Sequence, residues 1–351
     1  MSDLPQVIAD LARWYALMGL GLGERTGLTD ALLSGIGTAQ ELARRAGVDG
    51  DNARLWADLM VVSGYATVAE GTGGDSGSPA QFEANESTLG ILRRTLPFDL
   101  RSALEIAVPI AGLMPRIERA IRDGGGIASD ELQAALGPIP ERVNVPTYDK
   151  YLLDDWIPAH PELEAALRAG ADVVEIGPGG GGALRLLAAA FPASRFLGCD
   201  LDPLQVARAN AAAQAASLVN LRFEARDAAL LPDASADIVA IFDAFHHFTD
   251  PDGVLAGLRR ALRPGGCLLM AEPALTGDPA MDAADTFATI TYGASLFYCF
   301  QESKTPGRPG MGSTWGGGHL LGFLEDGGFR IVRAYVSDGG YDVVQAVPTG
   351  D

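Results

Sequence analysis

Apolar residues in the first third of the chain recur every three or four positions, which is the spacing of one face of a helix. Residues 6–35 follow this pattern. Residues 37–49 predict a helix that Thr38 caps and a glycine ends, and residues 51–63 predict the next helix. A polar stretch of glycine, serine and aspartate, residues 71–78, predicts the tip of a hairpin. The front of the chain is therefore predicted to be a helix-turn-helix with a wing.

Short apolar runs replace this pattern in the second half of the chain and alternate with helical stretches, which is typical of a parallel sheet with crossover helices. Residues 88–165 predict a helical connector ahead of these runs, and a long insertion precedes a final hairpin. We therefore predict a mixed α/β fold of two domains. The predicted strands are residues 173–176, 194–200, 221–228, 236–243 and 262–273, followed by the hairpin.

Composition limits the function classes. The chain has 351 residues, of which 48% are hydrophobic and 20% charged, as expected for a globular protein with a sizeable core. The net charge of −19 argues against nucleic-acid partners, whose phosphates such a surface repels. No apolar run is long enough to cross a bilayer, and residues 1–5 lack the basic region of a secretory signal. Three cysteines show neither metal nor redox spacing, so we expect a cytoplasmic protein without a membrane partner.

A glycine-rich turn is the most informative segment of the chain. A β-branched run ends at Glu175 and Ile176 and breaks into residues 177–182, which a helical stretch follows at once. Glycines let the backbone approach a ligand closely and supply turn geometry that a Cβ forbids. The turn has no lysine, serine or threonine for a phosphate, and Glu175 repels phosphates but suits a cationic α-amino group. By itself, the turn leaves NAD and S-adenosylmethionine (SAM) open.

Five segments resemble the class I SAM-dependent methyltransferases. Their sequences are EIGPGGGG, GCDLDP, ARDAALLP, DIVAIFDAFHHF and LRPGGCLLMAEP, in the order in which that family carries them, over roughly residues 165–350. The resemblance implies a Rossmann-like, seven-stranded catalytic domain that binds SAM. The positions that match the family's cofactor contacts are Glu175, Gly177 and Gly179 for the amino-acid part, Asp200 with Leu201 for the ribose side, and Asp227 with Ala228 for the adenine side.

The front of the chain resembles a winged-helix module, for which two functions are open. A DNA-binding helix is basic on its exposed face, whereas residues 51–63 offer only Arg54 as a basic group. The layout is similar to the winged-helix dimerisation domain of small-molecule O-methyltransferases, which implies a homodimer. It also implies a winged-helix and dimerisation domain at 1–90, a connector that contributes to the substrate pocket at 91–164, and a SAM-binding catalytic domain at 165–351. Candidates for the pocket lining are Phe98, Arg101, Arg122, Tyr148 and Tyr151, with Phe297, Tyr298 and Phe300 from the insertion.

Three of the four histidines are candidates for the chemistry. His246 and His247 follow the fourth predicted strand at its carboxyl end, where α/β folds place their chemistry, and His319 follows the insertion. In the resembled O-methyltransferases a His-Asp pair occupies this place and its histidine is the general base, so His246 matches the base. Alternatively, the three histidines bind a divalent metal, zinc or iron, with open positions. Neighbours on a strand point to opposite faces, so both bind a metal only if the chain has left the strand.

With a metal, the chain resembles the metal-dependent 2-oxo-acid C-methyltransferases of peptide-antibiotic pathways. That resemblance implies a metal that holds the substrate's carboxylate and 2-oxo group and stabilises its enolate. Our leading expectation is therefore SAM-dependent C-methylation of a small 2-oxo acid at C3, with His246 and His247 as catalytic residues and metal ligands and His319 as the third ligand. The alternative is a metal-free small-molecule O-methyltransferase that uses His246 as general base. A non-enzymatic SAM sensor that regulates DNA would need a basic helix that the chain lacks.

Overall fold

The computed structural model describes residues 5–74, 77–93, 96 and 98–350. The chain divides into two compact units, Met1–Gly112 and Leu113–Asp351. The connector predicted for residues 91–164 falls partly in each unit. Among the described residues, no helix combines the length and the apolar character needed to span a membrane.

Helices and a small antiparallel sheet build the first unit. Its elements are α1 (Gln6–Thr26), α2 (Leu28–Leu33), β1 (Gly37–Thr38), α3 (Ala39–Ala46), α4 (Gly50–Val62), β2 (Ala66–Val68), β3 (Gln81–Ala84), a 3-10 turn at Leu89–Arg93 and α5 (Leu100–Glu105). The three strands are antiparallel in the order β1-β3-β2. Leu32, Met60 and Phe82 are fully buried in the core that these elements share, and Trp56 donates a hydrogen bond to the Gly19 carbonyl there.

Helix α3 begins and ends where the sequence predicts. The Thr38 hydroxyl accepts a hydrogen bond from the Glu41 N–H, and the Thr38 N–H donates to the Glu41 carboxylate, which forms a capping box. Gly47 ends the helix with a φ of 71°. The order of α3, α4 and the β2–β3 hairpin agrees with a helix-turn-helix and wing, although Asp75 and Ser76 of the predicted tip lie outside the described residues. Membership of the winged-helix class and dimerisation stay predictions.

A seven-stranded sheet with helices on both faces builds the second unit. The helices are α6 (Ala107–Asp123, which spans the point of division), α7 (Ser129–Leu136), α8 (Ile139–Tyr151), α9 (Pro161–Ala169), α10 (Gly182–Ala190), α11 (Pro203–Ala215), α12 (Pro251–Ala261), α13 (Pro279–Asp282), α14 (Thr286–Ala294), α15 (Phe300–Ser303) and α16 (Gly316–Asp326). The strands are β4 (Asp172–Ile176), β5 (Arg195–Asp200), β6 (Leu221–Ala225), β7 (Ala236–Phe242), β8 (Leu262–Pro273), β9 (Phe329–Val336) and β10 (Tyr341–Pro348). Short 3-10 turns lie at Ala228–Leu230 and Phe245–His247, and π-helical turns at Leu152–Trp156 and Ser295–Cys299.

The strand order of this sheet is β6-β5-β4-β7-β8-β10-β9. Strands β4 to β8 pair in parallel, and β10 runs antiparallel to both β8 and β9. The predicted α/β fold with a seven-stranded sheet is thus confirmed. The order of the strands reverses between β4 and β7, and at such a switch point the carboxyl ends of the strands open a crevice for a ligand.

Neighbouring residues of the central strands are buried on opposite faces of the sheet. Val173 and Ile238 pack in one core with helices α9, α10 and α11, whereas Val174 and Val239 pack in the other with α12 and α16. A strand covered on both faces needs apolar residues at consecutive positions. This double burial explains the continuous apolar runs of the sequence.

Candidate active site

The glycine-rich turn after β4 adopts a backbone that side chains disfavour. Gly177, Gly179 and Gly181 have φ values of 68°, 53° and 77°. A Cβ at Gly177 would lie 2.9 Å from the Ala244 Cβ, and a Cβ at Gly181 would lie 2.3 Å from the Phe223 ring. A Cβ at Gly179 would meet nothing within 4 Å, so open space lies beside that residue. The turn therefore needs glycine, and at Gly179 its backbone is open to a ligand.

Glu175 is a buried carboxylate without a complete set of partners. Its side chain is at the carboxyl end of β4, the residue is 2% exposed, and its Oε2 atom has no hydrogen-bond partner. Burial, together with the charge of Asp200, raises the pKa of Glu175 to about 8, although Arg185 opposes the shift. An unpaired buried carboxylate is costly, and a cationic ammonium group would satisfy it. The α-amino group of SAM is such a group.

Asp200 lies at the carboxyl end of β5, beside the glycine turn. Its Oδ2 atom accepts a hydrogen bond from the Gly179 N–H at 3.1 Å, and its Oδ1 atom accepts one from the Asp202 N–H at 2.9 Å. Burial raises the pKa of Asp200 despite these two bonds. Each oxygen keeps a free lone pair, so the carboxylate can still accept two ribose hydroxyls. Leu201, the next residue, is 72% exposed and available to a ligand.

The third predicted pair follows the neighbouring strand β6. Asp227 is exposed, and its Oδ1 atom accepts a hydrogen bond from the Ala229 N–H at the start of a 3-10 turn. Ala228 is buried. Because β4, β5 and β6 are parallel neighbours, Glu175, Asp200 and Asp227 lie along one edge of the sheet. The predicted cofactor residues are therefore on one continuous edge.

A helix roof covers the glycine turn. The Glu141 carboxylate on α8 lies where a Cβ at Gly180 would be, and Arg185 pairs with it at 3.6 Å. Asn144, one turn further along α8, donates a hydrogen bond to Asp243 just after β7. Asp243 has a φ of 52°, which is unusual for a residue with a side chain, and burial raises the pKa of its carboxyl group.

His246 and His247 have left the strand, as the metal hypothesis required. Strand β7 ends at Phe242, and both histidines lie in the 3-10 turn Phe245–His247. Their ring centroids are 4.3 Å apart with an interplanar angle of 40°. Consecutive side chains therefore reach the same side of the sheet edge, which strand geometry would have prevented.

His246 forms a buried pair with Glu272, the last acidic residue of β8. The His246 Nδ1 atom lies 2.5 Å from Glu272 Oε2. The other oxygen, Oε1, accepts hydrogen bonds from the Ala244 and Phe245 N–H groups at 3.1 and 2.8 Å. Burial opposes the charged imidazolium, but the charge of Glu272 outweighs it and raises the pKa of His246 well above its usual value. The backbone thus fixes the carboxylate, and the carboxylate orients the imidazole.

His247 faces a second carboxylate and a cysteine. Its Nδ1 atom lies 2.7 Å from Glu302 Oε2, within ion-pair distance. Cys299, from the π-helical turn Ser295–Cys299, places its Sγ atom within 4.8 Å of ligand nitrogens of both histidines. Burial would raise the pKa of the Cys299 thiol, but the charge of His247 and hydrogen bonds to both imidazoles lower it to about 6. Burial and His246 disfavour the charged form of His247, yet Cys299 and Glu302 raise its pKa to about 9.

The structure does not group His319 with the two other histidines of the predicted set. It is exposed on the first turn of α16, where its Nδ1 atom contacts the Trp315 carbonyl. Among the described residues, the group that could hold a metal ion is His246, His247 and Cys299. The physical reason is local: residues 316–318 begin a helix at Gly316, which directs His319 to the helix surface.

A buried segment of the insertion holds the histidine turn in place. The Gly312 N–H donates a hydrogen bond to the His246 carbonyl at 3.1 Å. The Ser303 hydroxyl accepts hydrogen bonds from the N–H groups of Met311 and Gly312 at 2.9 and 3.2 Å. The insertion therefore supplies both Cys299 and the backbone hydrogen bond that holds His246.

The predicted pocket residues have different environments. Tyr148 donates a hydrogen bond to the Phe242 carbonyl at the end of β7, and the Tyr298 ring lies 4.9 Å from that of His247, so both are near the histidine turn. In the first unit, Arg101 pairs with Glu24 and Asp30. The other described candidates have different contacts: Arg122 pairs with Glu118, Tyr151 packs under Lys150, Phe297 lines a cavity of about 370 Å³, and Phe300 packs against Gly310 and Gly312. Phe98 belongs to the first unit.

Sequence reasoning missed four acidic or thiol groups of this site: Asp243, Glu272, Cys299 and Glu302. The first two had a usable signal, because β7 and β8 are neighbouring parallel strands and their carboxyl ends meet at the same edge. Cys299 and Glu302 had none, since they come from a π-helical turn and a short helix far along the chain.

The comparisons with known proteins agree with this fold. Residues 174–268 match the family model described as a methyltransferase domain. A 27-O-demethylrifamycin SV methyltransferase of Amycolatopsis mediterranei is 37% identical over 122 residues, which are 34% of this chain and 44% of that protein. A trans-aconitate 2-methyltransferase of Methylobacterium nodulans is 32% identical over 115 residues, which are 32% of this chain and 43% of that protein. The chain thus aligns with less than half the length of these curated relatives.

Solved structures match over the whole chain. The mitomycin 7-O-methyltransferase has a TM-score of 0.68 at 18% identity and covers 98% of this chain and 97% of its own. An O-methyltransferase of neocarzinostatin biosynthesis, solved with SAM and 2-hydroxy-5-methyl naphthoic acid, has a TM-score of 0.70 at 17% identity, with 99% and 100% covered. At this identity the likeness shows the fold. The chain thus contains a segment that matches a methyltransferase domain, within a fold like that of these O-methyltransferase structures.

Proposed function

We propose that this protein is a SAM-dependent O-methyltransferase that methylates a hydroxyl group of a small molecule, with His246 as general base. The observation that carries the proposal is the buried His246–Glu272 pair, which lies at the switch point of the sheet next to the edge that bears Glu175 and Asp200. Class I enzymes bring the methyl acceptor to this end of the sheet.

The residues along the sheet edge suit SAM, which supplies an electrophilic methyl group when bound. The unpartnered Oε2 atom of Glu175 would accept the α-ammonium group, and the open space at Gly179 would admit the amino-acid part. Asp200 would hold the ribose hydroxyls, Leu201 would pack beside it, and Asp227 with Ala228 would bind the adenine. These residues would bind and orient SAM, so the site must in addition remove the proton of the acceptor's hydroxyl group.

Glu272 sets the tautomer of His246. Its Oε2 atom is an acceptor, so the facing Nδ1 atom of neutral His246 must carry the hydrogen. The Nε2 atom of this neutral form is left as a proton acceptor, as a general base needs, and because the pKa of His246 is raised, the neutral form gains population as pH rises. When Nε2 takes the proton of a hydroxyl group, Glu272 stabilises the imidazolium that forms. Glu272 is therefore a positioning residue and His246 the catalytic one.

C-methylation of a 2-oxo acid, the leading expectation from the sequence, loses support because it relied on His319 as the third ligand. The named neighbours add weight to O-methylation, since the proteins of mitomycin and neocarzinostatin biosynthesis are O-methyltransferases of antibiotic pathways. We therefore place this enzyme in secondary metabolism. The cytoplasm stays its expected location. The exposed apolar residues Val7, Leu11 and Trp14 of α1 support a homodimer through its amino-terminal helices.

The proposal is tested by methyl transfer from labelled SAM to a panel of phenols and hydroxy acids, with 4-methyl-2-oxopentanoate and phenylpyruvate alongside. We expect an O-methyl product, identified by mass spectrometry and NMR, with full activity in chelator. His246→Ala should lower kcat by roughly 100-fold to 10,000-fold and leave SAM affinity intact, because a base acts only in the chemical step.

His319→Ala is the matched control and should keep full activity. Methylation of C3 of a 2-oxo acid that stops in chelator would contradict the proposal and restore the metal-dependent C-methyltransferase. Unchanged kcat in His246→Ala would remove the base from the mechanism.

A further inference from the structure

Two imidazoles and one thiol converge at one point beside the acceptor end of the sheet. One ligand atom from each of His246, His247 and Cys299 lies within 4.8 Å of the other two. His246 and Cys299 are buried, and His247 is nearly so. The 3-10 turn Phe245–His247 and the π-helical turn Ser295–Cys299 hold these atoms together.

Each imidazole also has a carboxylate at its Nδ1 atom. Glu272 faces Nδ1 of His246 at 2.5 Å, and Glu302 faces Nδ1 of His247 at 2.7 Å. Metal-binding histidines commonly have such a carboxylate, which fixes the tautomer and makes the other nitrogen a better ligand.

The donor set determines which cations suit the site. A thiolate and two neutral imidazoles are the ligands of zinc and similar soft divalent cations, and they do not suit magnesium or calcium. Three protein ligands leave one tetrahedral position open. Binding would displace the protons of the thiol and of any charged imidazole, and the two carboxylates would balance the charge of the cation.

We propose that His246, His247 and Cys299 bind one soft divalent cation of the zinc type, and that this cation switches methyl transfer off. The binding site stands on its own geometry, whereas the inhibition rests on the proposed base role of His246. The cation occupies the same nitrogen that must accept the hydroxyl proton, so one imidazole cannot serve both purposes. Zinc supply would then set the fraction of active enzyme.

Cobalt(II) is the probe for binding, because a cobalt–thiolate bond gives a charge-transfer band in the near ultraviolet. Full-length protein freed of metal by chelator should bind one Co²⁺ per chain with this band, and Zn²⁺ should displace it. Cys299→Ser should lose the band, and Glu302→Gln should bind roughly 10-fold to 100-fold more weakly because it removes the carboxylate partner. Cys267→Ser and His319→Ala are the matched controls and should bind like the wild type.

A wild type without the band, or a Cys299→Ser variant that keeps it, would overturn the site. SAM affinity of Cys299→Ser, measured in parallel, checks that the variant folds, and His247→Ala gives a second loss-of-ligand variant. In the activity arm, Zn²⁺ should inhibit the wild type far more strongly than His247→Ala. If the protein binds Co²⁺ and Zn²⁺ raises the rate of methyl transfer, the binding site is supported. That result would contradict both the proposed inhibition and the metal-free role of His246 as base. Absence of binding with unchanged O-methylation would overturn the site alone.

Discussion

Replacing Glu175 by glutamine tests the cofactor site through its linkage to pH. The pKa of this carboxyl is about 8 in the folded chain against 4.5 for an ordinary glutamate, because burial and Asp200 disfavour its charge. Between these two values the folded chain holds a proton that the unfolded chain has released. The free energy of unfolding of the wild type should therefore fall as pH rises through this window, by about 1.4 kcal/mol for each pH unit. Glutamine has the shape of the protonated acid and does not titrate.

The stability difference is measurable by thermal unfolding at several pH values. From pH 5.5 to pH 7.5 the linkage amounts to about 3 kcal/mol, which for a unit of this size corresponds to a Tm gap of roughly 5–10 °C. The Tm difference between the two proteins should be small at pH 5.5 and should grow in favour of Glu175→Gln as pH rises. Glu162→Gln, an exposed position on α9, is the control and should follow the wild type.

The affinity for SAM should rise with pH, whereas the stability of the wild type falls. An ammonium group binds the ionised carboxylate, so below pH 8 the wild type must release a proton when SAM binds. Its SAM affinity should rise about 10-fold for each pH unit from 6 to 8, and calorimetry in buffers of different ionisation enthalpy should detect about one proton released at pH 7. Glu175→Gln should bind SAM more weakly at pH 8 and release no proton there. Equal proton release by both proteins would refute the assignment of Glu175 to the amino group.

Three further substitutions test the rest of the site. Asp200→Asn should weaken SAM and S-adenosylhomocysteine binding by roughly 10-fold or more in calorimetry, because an amide offers one acceptor oxygen where the carboxylate offers two; unaltered affinity would remove Asp200 from the ribose site. Glu272→Gln should lower kcat by roughly 100-fold with little change in SAM affinity, since an amide nitrogen facing Nδ1 moves the hydrogen of His246 to Nε2, and unchanged kcat would contradict the tautomer argument. Gly181→Ala should lower Tm because its Cβ meets the Phe223 ring and its φ is 77°. Gly293→Ala, in open space within α14, should raise Tm because the helix propensity of alanine adds about 0.5–1 kcal/mol to the free energy of unfolding.

Local rules explain what the sequence predicted well. The capping box at Thr38, the strands and the glycine turn depend on residues within a few positions of each other. Glu175 and Asp200 were found because strand ends carry ligands in folds of this kind. Because both residues lie at the end of a predicted strand, the strand assignment alone places them at the carboxyl edge of the sheet.

The chemistry at the acceptor side was predicted only in part. His246 and His247 were found from their place after a strand, but the third partner depended on the insertion, whose path no periodicity predicts. His319 has a side chain that can bind a metal, but it lies on the exposed face of α16. Cys299 joins the cluster because it lies in a π-helical turn. Such a turn shifts the helix register by one residue, and nothing in the local sequence marks it.

The pair of adjacent histidines has a consequence for how the turn tolerates changes of length. Residues in a 3-10 turn follow each other at three per turn, so the loss of one residue between Phe242 and the turn would bring His247 to the position of His246 and Phe248 to that of His247. An imidazole would still face Glu272, but the second ligand nitrogen would be gone. A one-residue deletion in a descendant of this enzyme would thus keep a base for proton transfer and remove the inhibition by zinc. The second histidine can in this way replace His246 as the base.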